Sequence, residues 1–429
     1  MRRPLSATRD GNEIFVRGDL GIQDVRRVLA VLNATALAKN HHQIKLNFSG
    51  CTLAFSGAML PICARVLYLQ SSGFEFFLEP PEDARLHKLF QNANWAHLIA
   101  PDDYEPGTRG LLGRQFPATR YQTHEDQERQ LNELLECLLA VIPNFNRSAF
   151  AAVEWALNEI TDNVINHSES PIGGLLQLSV FDLRTSRVEF TVSDAGVGVP
   201  STLRTTRSGM KTDADALLQS VRSGVTRNAE LFQGNGLYGS LEICRVGGGR
   251  FSLNSGSGAL FSINKAVEAR NELIDHCGTT VDAIIDFSEP QLLERALAID
   301  GRVHKPVDYI ELKYEQDGLQ AVPFKLDEQA TSFRSRPAGK PVHNKLANLV
   351  AACAGQTIYV DFGGITVVSS SFADEVFGKL FVALGPMRFM QAIRLVNVSP
   401  TVQALIDRAI TQRMLSSGVA SDVPLDDAT

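Results

Sequence analysis

The sequence predicts an α/β protein in which two related α/β domains flank a third, different α/β domain. The first observation is that strand and helix patterns alternate along the 429 residues, with apolar residues at every second position in strands and at three- to four-residue spacing in helices. The second is an internal match without gaps, because IKLNFSGCTLAFSGAM from position 44 aligns with IYVDFGGITVVSSSFA from position 358. Each copy predicts a strand, a short loop and a serine-containing turn into a helix.

Length and spacing predict the domain boundaries. A chain of this size is expected to hold about two to four domains. We place them by the changes in pattern, as a first domain at 1–104, a linker rich in Pro, Gly and charge at 105–124, a middle domain at 125–268, a connecting segment at 269–309 and a C-terminal domain at 310–429.

Composition excludes several classes of protein. With 44% apolar and 21% charged residues, the chain is typical of soluble globular proteins. The net charge of -7 comes without a basic stretch, so nucleic acid is not expected as a partner. No apolar run is long enough to span a membrane, and the first residues lack the apolar core of a signal peptide. The six scattered cysteines indicate reduced thiols, and we expect a cytoplasmic protein.

The stretch NEITDNVINH at 158–167 carries polar residues at four-residue spacing. On a helix, each four-residue step advances about 400°, so Glu159, Asn163 and His167 lie along one face. An amide oxygen beside a carboxylate suits a hard cation such as Mg²⁺, with Asn163 as the direct ligand. Glu159 can then orient or deprotonate a water or hydroxyl. We interpret His167 as structural.

Two glycine-containing motifs follow in the same part of the chain. In SDAGVGVP, Asp194 ends a predicted strand, and Gly196 and Gly198 allow the backbone to approach a flat ligand closely. GNGLYGSLEI, from position 234, opens a helix whose free N–H groups suit an anion. Together with the polar helix face, these motifs predict a nucleotide bound with a metal ion.

These motifs resemble the N, G1 and G2 boxes of the GHKL (Bergerat-fold) ATPases, which include gyrase, histidine kinases and anti-sigma-factor serine kinases. The resemblance covers roughly 120–268 and implies an α/β sandwich, with a mixed sheet covered by helices on one face and a lid at about 200–235. It implies ATP and Mg²⁺ as cofactors, with Asn163 on the ion and Glu159 as the general base. By the same resemblance, the nucleotide contacts are Asp194 on the adenine amino group, Gly196 and Gly198 around the base, and Gly234, Gly236, Leu237 and Gly239 at the phosphates.

Two positions depart from the pattern of that family. Ala259 stands where many members have a threonine near the adenine, and Tyr238 stands where many have a small or aliphatic residue. The glutamate and histidine of the N box are closer to those of the anti-sigma-factor kinases than to those of histidine kinases. One of the basic lid residues at 204, 207, 211, 222 and 227 is expected to touch the γ-phosphate, and the sequence leaves open which one.

The flanking domains resemble the STAS fold of anti-sigma-factor antagonists. In that family, the turn from strand to helix carries the serine that a kinase phosphorylates, which implies Ser56 in the first copy and Ser370 in the second as phosphoacceptors. The aspartate that precedes this serine in the family is replaced by Phe55 and Ser369. The alternative interpretation is that both serines cap or begin helices.

The sequence leaves three functions open. We expect a regulatory protein in which Mg-ATP binding or hydrolysis switches the arrangement or partner binding of the STAS-like domains. The alternatives are a serine/threonine kinase acting on a STAS-domain serine and a nucleotide sensor without turnover. The expected partners are ATP and a STAS or regulatory protein, and a homodimer is left open.

Overall fold

A computed structural model describes residues 3–39, 41–107, 115–182, 187–205, 209–222, 236–263, 266–299, 302–303, 307–315 and 321–418. The chain forms two compact units. One consists of Met1–Leu134 with Ser148–Lys305, and the other of Leu135–Arg147 with Pro306–Thr429. Within the described ranges, no helix combines the length and the apolar character needed to cross a bilayer.

The first part of the first unit is a five-stranded sheet with helices. Its strands are β1 (Ser6–Asp10), β2 (Glu13–Leu20), β3 (Gln43–Asn47), β4 (Cys51–Ala54) and β5 (Glu75–Glu79). Its helices are α1 (Val25–Asn33), continued by a π-helix at Ala34–Ala38, α2 (Ser56–Ser71), α3 (Ala84–Asn92) and α4 (Trp95–Ile99). The strands follow the order β1-β2-β3-β5, and β4 pairs with β2. Among the strand pairs of this sheet in the described residues, β1 and β2 are antiparallel and the others are parallel.

The middle part of the chain is built on a second five-stranded sheet. Its strands are β6 (Gln115–Tyr121), β7 (Gly174–Asp182), β8 (Arg187–Asp194), β9 (Arg250–Ile263) and β10 (Ala266–Asp286). Its helices are α5 (His124–Val141), α6 (Arg147–His167), α7 (Val199–Arg204), α8 (Asp213–Ser220), α9 (Gly236–Val246) and α10 (Leu292–Ala296). The order is β6-β7-β8-β10-β9. Every described pairing is antiparallel, so the expectation of a mixed sheet was wrong.

Strands lie in two segments that the sequence predicts as connections between domains. The linker expected at 105–124 contains β6, which pairs with β7. The connecting segment expected at 269–309 contains most of β10, which lies between β8 and β9 in the sheet. Both strands resemble loops in the sequence because they are rich in polar residues. Strand β6 pairs with β7, which lies more than fifty residues away along the chain. The first half of β10 is largely exposed.

The middle sheet is buried on both faces, whereas helices were expected on one face only. Successive side chains of a strand point to opposite faces. On β8, Val188, Phe190 and Val192 occupy one face, and Glu189, Thr191 and Ser193 the other, all buried. Helix α2 contacts β7, β8 and β10, and α1 contacts β10. The first part of the chain therefore covers the second face of the middle sheet, within one unit.

The second unit is a three-stranded parallel sheet with helices. Its strands are β13 (Ala321–Lys325), β14 (Thr357–Asp361) and β15 (Ile393–Val396). Before them along the chain, the first unit contains a short strand pair, β11 (Ala298–Ile299) and β12 (Arg302–Val303). Its helices are α11 (Tyr309–Tyr314), α12 (Arg336–Ala352), α13 (Ser370–Ala373), α14 (Lys379–Leu384), α15 (Pro386–Ala392) and α16 (Pro400–Gly418), with a 3-10 turn at Leu326–Glu328 and a π-helix at Asp374–Gly378.

The internal match corresponds to similar local structure in both copies. In the first copy, β3 is followed by a loop and a helix that begins at Ser56, and in the second, β14 is followed by a loop and a helix that begins at Ser370. These serines occupy the same column of the alignment. The copies differ in the segment that joins the strand to the helix. In the first copy this segment contains β4, whereas in the second it has no strand among residues 362–369, all of which are described.

Candidate functional site

Helix α6 presents the polar face predicted from the sequence. Its apolar stripe, which includes Val153, Leu157 and Ile160, is buried. Glu159 and Asn163 are half-buried on a neighbouring face. Burial, together with the negative charge of Asp162, raises the pKa of Glu159 to about 7. A carboxyl group with that pKa can accept and release a proton near neutral pH.

Helix α9 begins directly against this polar face. A β-carbon placed on Gly236 would lie 2.4 Å from Glu159 Oε2 and 3.4 Å from Asn163 Nδ2. One turn later, a β-carbon on Gly239 would lie 2.3 Å from the Trp155 ring. The two glycines therefore let the start of α9 lie close against these side chains of α6. Leu237 is half-buried between them, and Gly234 lies outside the described residues.

Asp194 ends β8 and is buried, with 3% of its surface exposed. Its Oδ1 accepts hydrogen bonds from the Gly196 N–H at 2.8 Å and the Thr279 N–H at 3.3 Å. Burial raises the pKa of Asp194 to about 7, although the two N–H donors act in the opposite direction. The carboxyl group therefore has acceptor capacity left for a further donor.

The loop after Asp194 is held against the end of α6. A β-carbon on Gly196 would lie 1.9 Å from the Ser168 carbonyl oxygen, and the Val197 N–H donates to the same oxygen at 2.8 Å. Gly198 has φ of +80° and precedes the first residue of α7. Since Ser168 follows α6 directly, one helix positions both the Asp194 loop and the polar face that meets α9.

Replacing Gly196 by alanine is expected to destabilise the first unit by about 1–3 kcal/mol, because the new methyl group collides with backbone that cannot rotate away. Urea denaturation of the full chain measures the change. An unchanged midpoint would mean that this loop does not pack on Ser168.

The sequence did not reveal the threonines beside Asp194. Ala259, expected near the adenine, lies in β9 opposite Arg270. The residues next to Asp194 come from β10, where Thr280 pairs with Ser193 and Thr279 donates its N–H to Asp194. A bulge in the β9–β10 pairing shifts the register between residues 271 and 279, which no sequence pattern shows.

Part of the proposed lid forms two short helices, α7 and α8. Arg204 forms an ion pair with Asp213 at 2.5 Å, and Asp213 also accepts from the Ser257 N–H at 2.7 Å. Lys211 and Arg222 are exposed. Arg207 and Arg227 lie outside the described residues.

The two predicted phosphoacceptors lie in different environments. Ser56, the first residue of α2, is 8% exposed and faces the middle sheet. Its Oγ lies 3.1 Å from Thr191 Oγ1, which donates to Asp282 Oδ2 at 2.9 Å. Ser370 is exposed at the start of α13.

Among the described residues, no group of three or more His, Cys, Asp or Glu side chains could hold a metal ion. A magnesium ion at Asn163 would therefore depend on phosphate oxygens and water for most of its ligands, as Mg²⁺ does in many nucleotide sites.

The comparisons with known proteins concern the second unit. Residues 338–403 match the family model described as a STAS-like domain of unknown function (DUF4325). This confirms the STAS-like character predicted for the C-terminal part, which is consistent with a regulatory role and a protein partner. No curated protein matches the chain.

Proposed function

We propose that the chain is a regulatory protein that binds Mg-ATP at the meeting point of α6, α9 and the Asp194 loop. The observation that carries the proposal is the close approach of Gly236 to Glu159 and Asn163, which leaves no room for a β-carbon. It places the start of a helix, where N–H groups favour an anion, next to an amide suited to a cation. Binding or hydrolysis of ATP would then favour one set of contacts between the STAS-like domains and a partner protein.

Each side chain has a distinct role in this proposal. Asp194 accepts a hydrogen bond from the amino group of the base, and the N–H groups at the start of α9 bind phosphate oxygens. Asn163 is the protein ligand of Mg²⁺, which when bound would neutralise charge on the phosphates. Glu159, with its pKa of about 7, takes a proton from an attacking water or hydroxyl.

A second candidate function is phosphoryl transfer to a serine of a STAS-like domain. The exposure of Ser370 at a helix start favours it as an acceptor. Ser56 is a poor acceptor in this arrangement, because its hydroxyl is buried against Thr191.

The test is incubation of the full chain with Mg²⁺ and γ-³²P-labelled ATP, with released phosphate and protein-bound label measured in parallel. Asn163→Ala is expected to reduce both ATP binding and any turnover at least tenfold. Asn158→Ala is the matched control, because Asn158 is exposed on the same helix. Free phosphate supports hydrolysis, label on Ser370 supports transfer, and binding without either supports a sensor. Equal ATP affinity in the wild type and Asn163→Ala would contradict the proposed metal ligand.

A further inference from the structure

Tyr121 carries a hydroxyl group whose burial needs an explanation. The residue ends β6 and is 1% exposed. Among the described residues, no donor or acceptor lies within hydrogen-bonding range of its hydroxyl. Burying such a group without a partner costs about 1–3 kcal/mol, so a native protein rarely keeps one unless water or a ligand satisfies it.

The register of the sheet directs this hydroxyl toward Asp194. Tyr121 pairs with Gly174 on β7, and Gly174 pairs with Asp194 on β8. Directly paired residues share a face of the sheet, so the three form a row across it. A β-carbon on Gly174 would lie 2.4 Å from the Tyr121 hydroxyl oxygen. The tyrosine therefore extends over Gly174, into space that only a glycine leaves open.

The hydroxyl remains a donor at neutral pH. Burial, and then the negative charges of Asp194 and Asp162, raise the pKa of Tyr121 well above its usual range. The row thus presents a carboxylate that accepts and a phenol that donates. Adenine offers the complementary pair, since its amino donor lies beside ring nitrogens that accept.

We propose that Tyr121 is a second base contact, with its hydroxyl donating to a ring nitrogen of adenine next to the amino group that Asp194 accepts from. This inference rests on the proposed ATP site and adds a specificity-determining residue to it. The observations that carry it are the unpartnered hydroxyl, the row of paired residues and the space above Gly174.

The test is Tyr121→Phe in the full chain, which removes the hydroxyl and keeps the ring. Calorimetry is expected to show Mg-ATP affinity about tenfold weaker, which corresponds to one lost hydrogen bond. The thermal midpoint without nucleotide should stay the same or rise, since an unpartnered polar group leaves the interior. An ATP analogue that lacks the contacted ring nitrogen should bind to the wild type and to Tyr121→Phe with equal affinity. The two analogues to test are 1-deaza-ATP and 7-deaza-ATP, one of which lacks that nitrogen.

Tyr314→Phe is the matched control. The Tyr314 hydroxyl donates to Glu136 Oε1 at 2.8 Å within the second unit, so this variant should lose stability and keep its ATP affinity. Three results would overturn the inference: ATP affinity of Tyr121→Phe within twofold of wild type, a lower midpoint without nucleotide, or an affinity loss that persists with both deaza analogues. If the wild type itself binds no ATP, the proposed function fails, and the inference fails with it.

Discussion

Glu159→Gln is expected to slow turnover of ATP about 10²–10⁴-fold, the range in which a general base contributes to catalysis. Glutamine keeps the shape of the side chain and its contact with the start of α9, so Mg-ATP affinity should change less than about threefold. Single-turnover release or transfer of labelled phosphate measures the rate, and calorimetry measures the affinity. Glu128→Gln, an exposed position on α5, is the control and should match the wild type.

The wild-type rate should also depend on pH with a defined sign. A general base works when it has lost its proton, and burial raises the pKa of Glu159 to about 7. The rate should therefore rise as pH increases through about 7 and level off above it. Two results would exclude Glu159 as the base. One is wild-type turnover in Glu159→Gln, and the other is a rate independent of pH between 5.5 and 8.5, on the order of one to two pH units either side of that pKa.

Arg26→Met is expected to destabilise the first unit by about 3–5 kcal/mol. The guanidinium group of Arg26 is buried, with 5% of the residue exposed. It donates to the carbonyl oxygens of Gly256, Ile274 and Gly258 at 2.6–2.7 Å and to Asn254 Oδ1 at 3.3 Å. Removing it leaves these buried and half-buried acceptors without their guanidinium donor. Methionine fills most of the volume, so the loss reflects hydrogen bonding more than packing.

Urea denaturation of the full chain tests this expectation. Arg27→Met is the matched control, because Arg27 is largely exposed and forms a 3.9 Å pair with Asp24, the kind of surface pair that contributes about 0–1 kcal/mol. Arg26→Lys should recover part of the loss, since a lysine cannot reproduce the fork of donors. Equal stability of the Arg26 and Arg27 variants would mean that the bulge of β9 and β10 does not depend on Arg26.

The sequence identified local motifs better than long-range contacts. The face of α6 and the glycine at the start of α9 follow from helical spacing and from the need for close approach, and both are visible within a few residues. Tyr121 could not be identified in this way, because its relation to Asp194 depends on the register of three strands. The sequence feature that accompanies Tyr121 is the pair of glycines at 173 and 174. The relation of these glycines to Tyr121 becomes visible only when β6 is paired with β7.

Arg26 shows the same limit for the fold. In the sequence it is one of two adjacent arginines on an amphipathic helix, where a solvated side chain is the usual outcome. Its acceptors lie more than two hundred positions away. Strand β6 is predicted as part of a linker for a related reason, since its burial depends on β7, which lies more than fifty residues away along the chain.

The double coverage of the middle sheet has a practical consequence for dissecting the protein. Ala118, Ile172 and Leu175 belong to the same hydrophobic cluster as the core of the first part of the chain. A fragment starting at residue 115 would expose these side chains, together with the face that carries Thr191 and Asp282, and would tend to aggregate. Cleavage between residues 107 and 115 by limited proteolysis should therefore leave residues 3–107 associated with the rest of the chain.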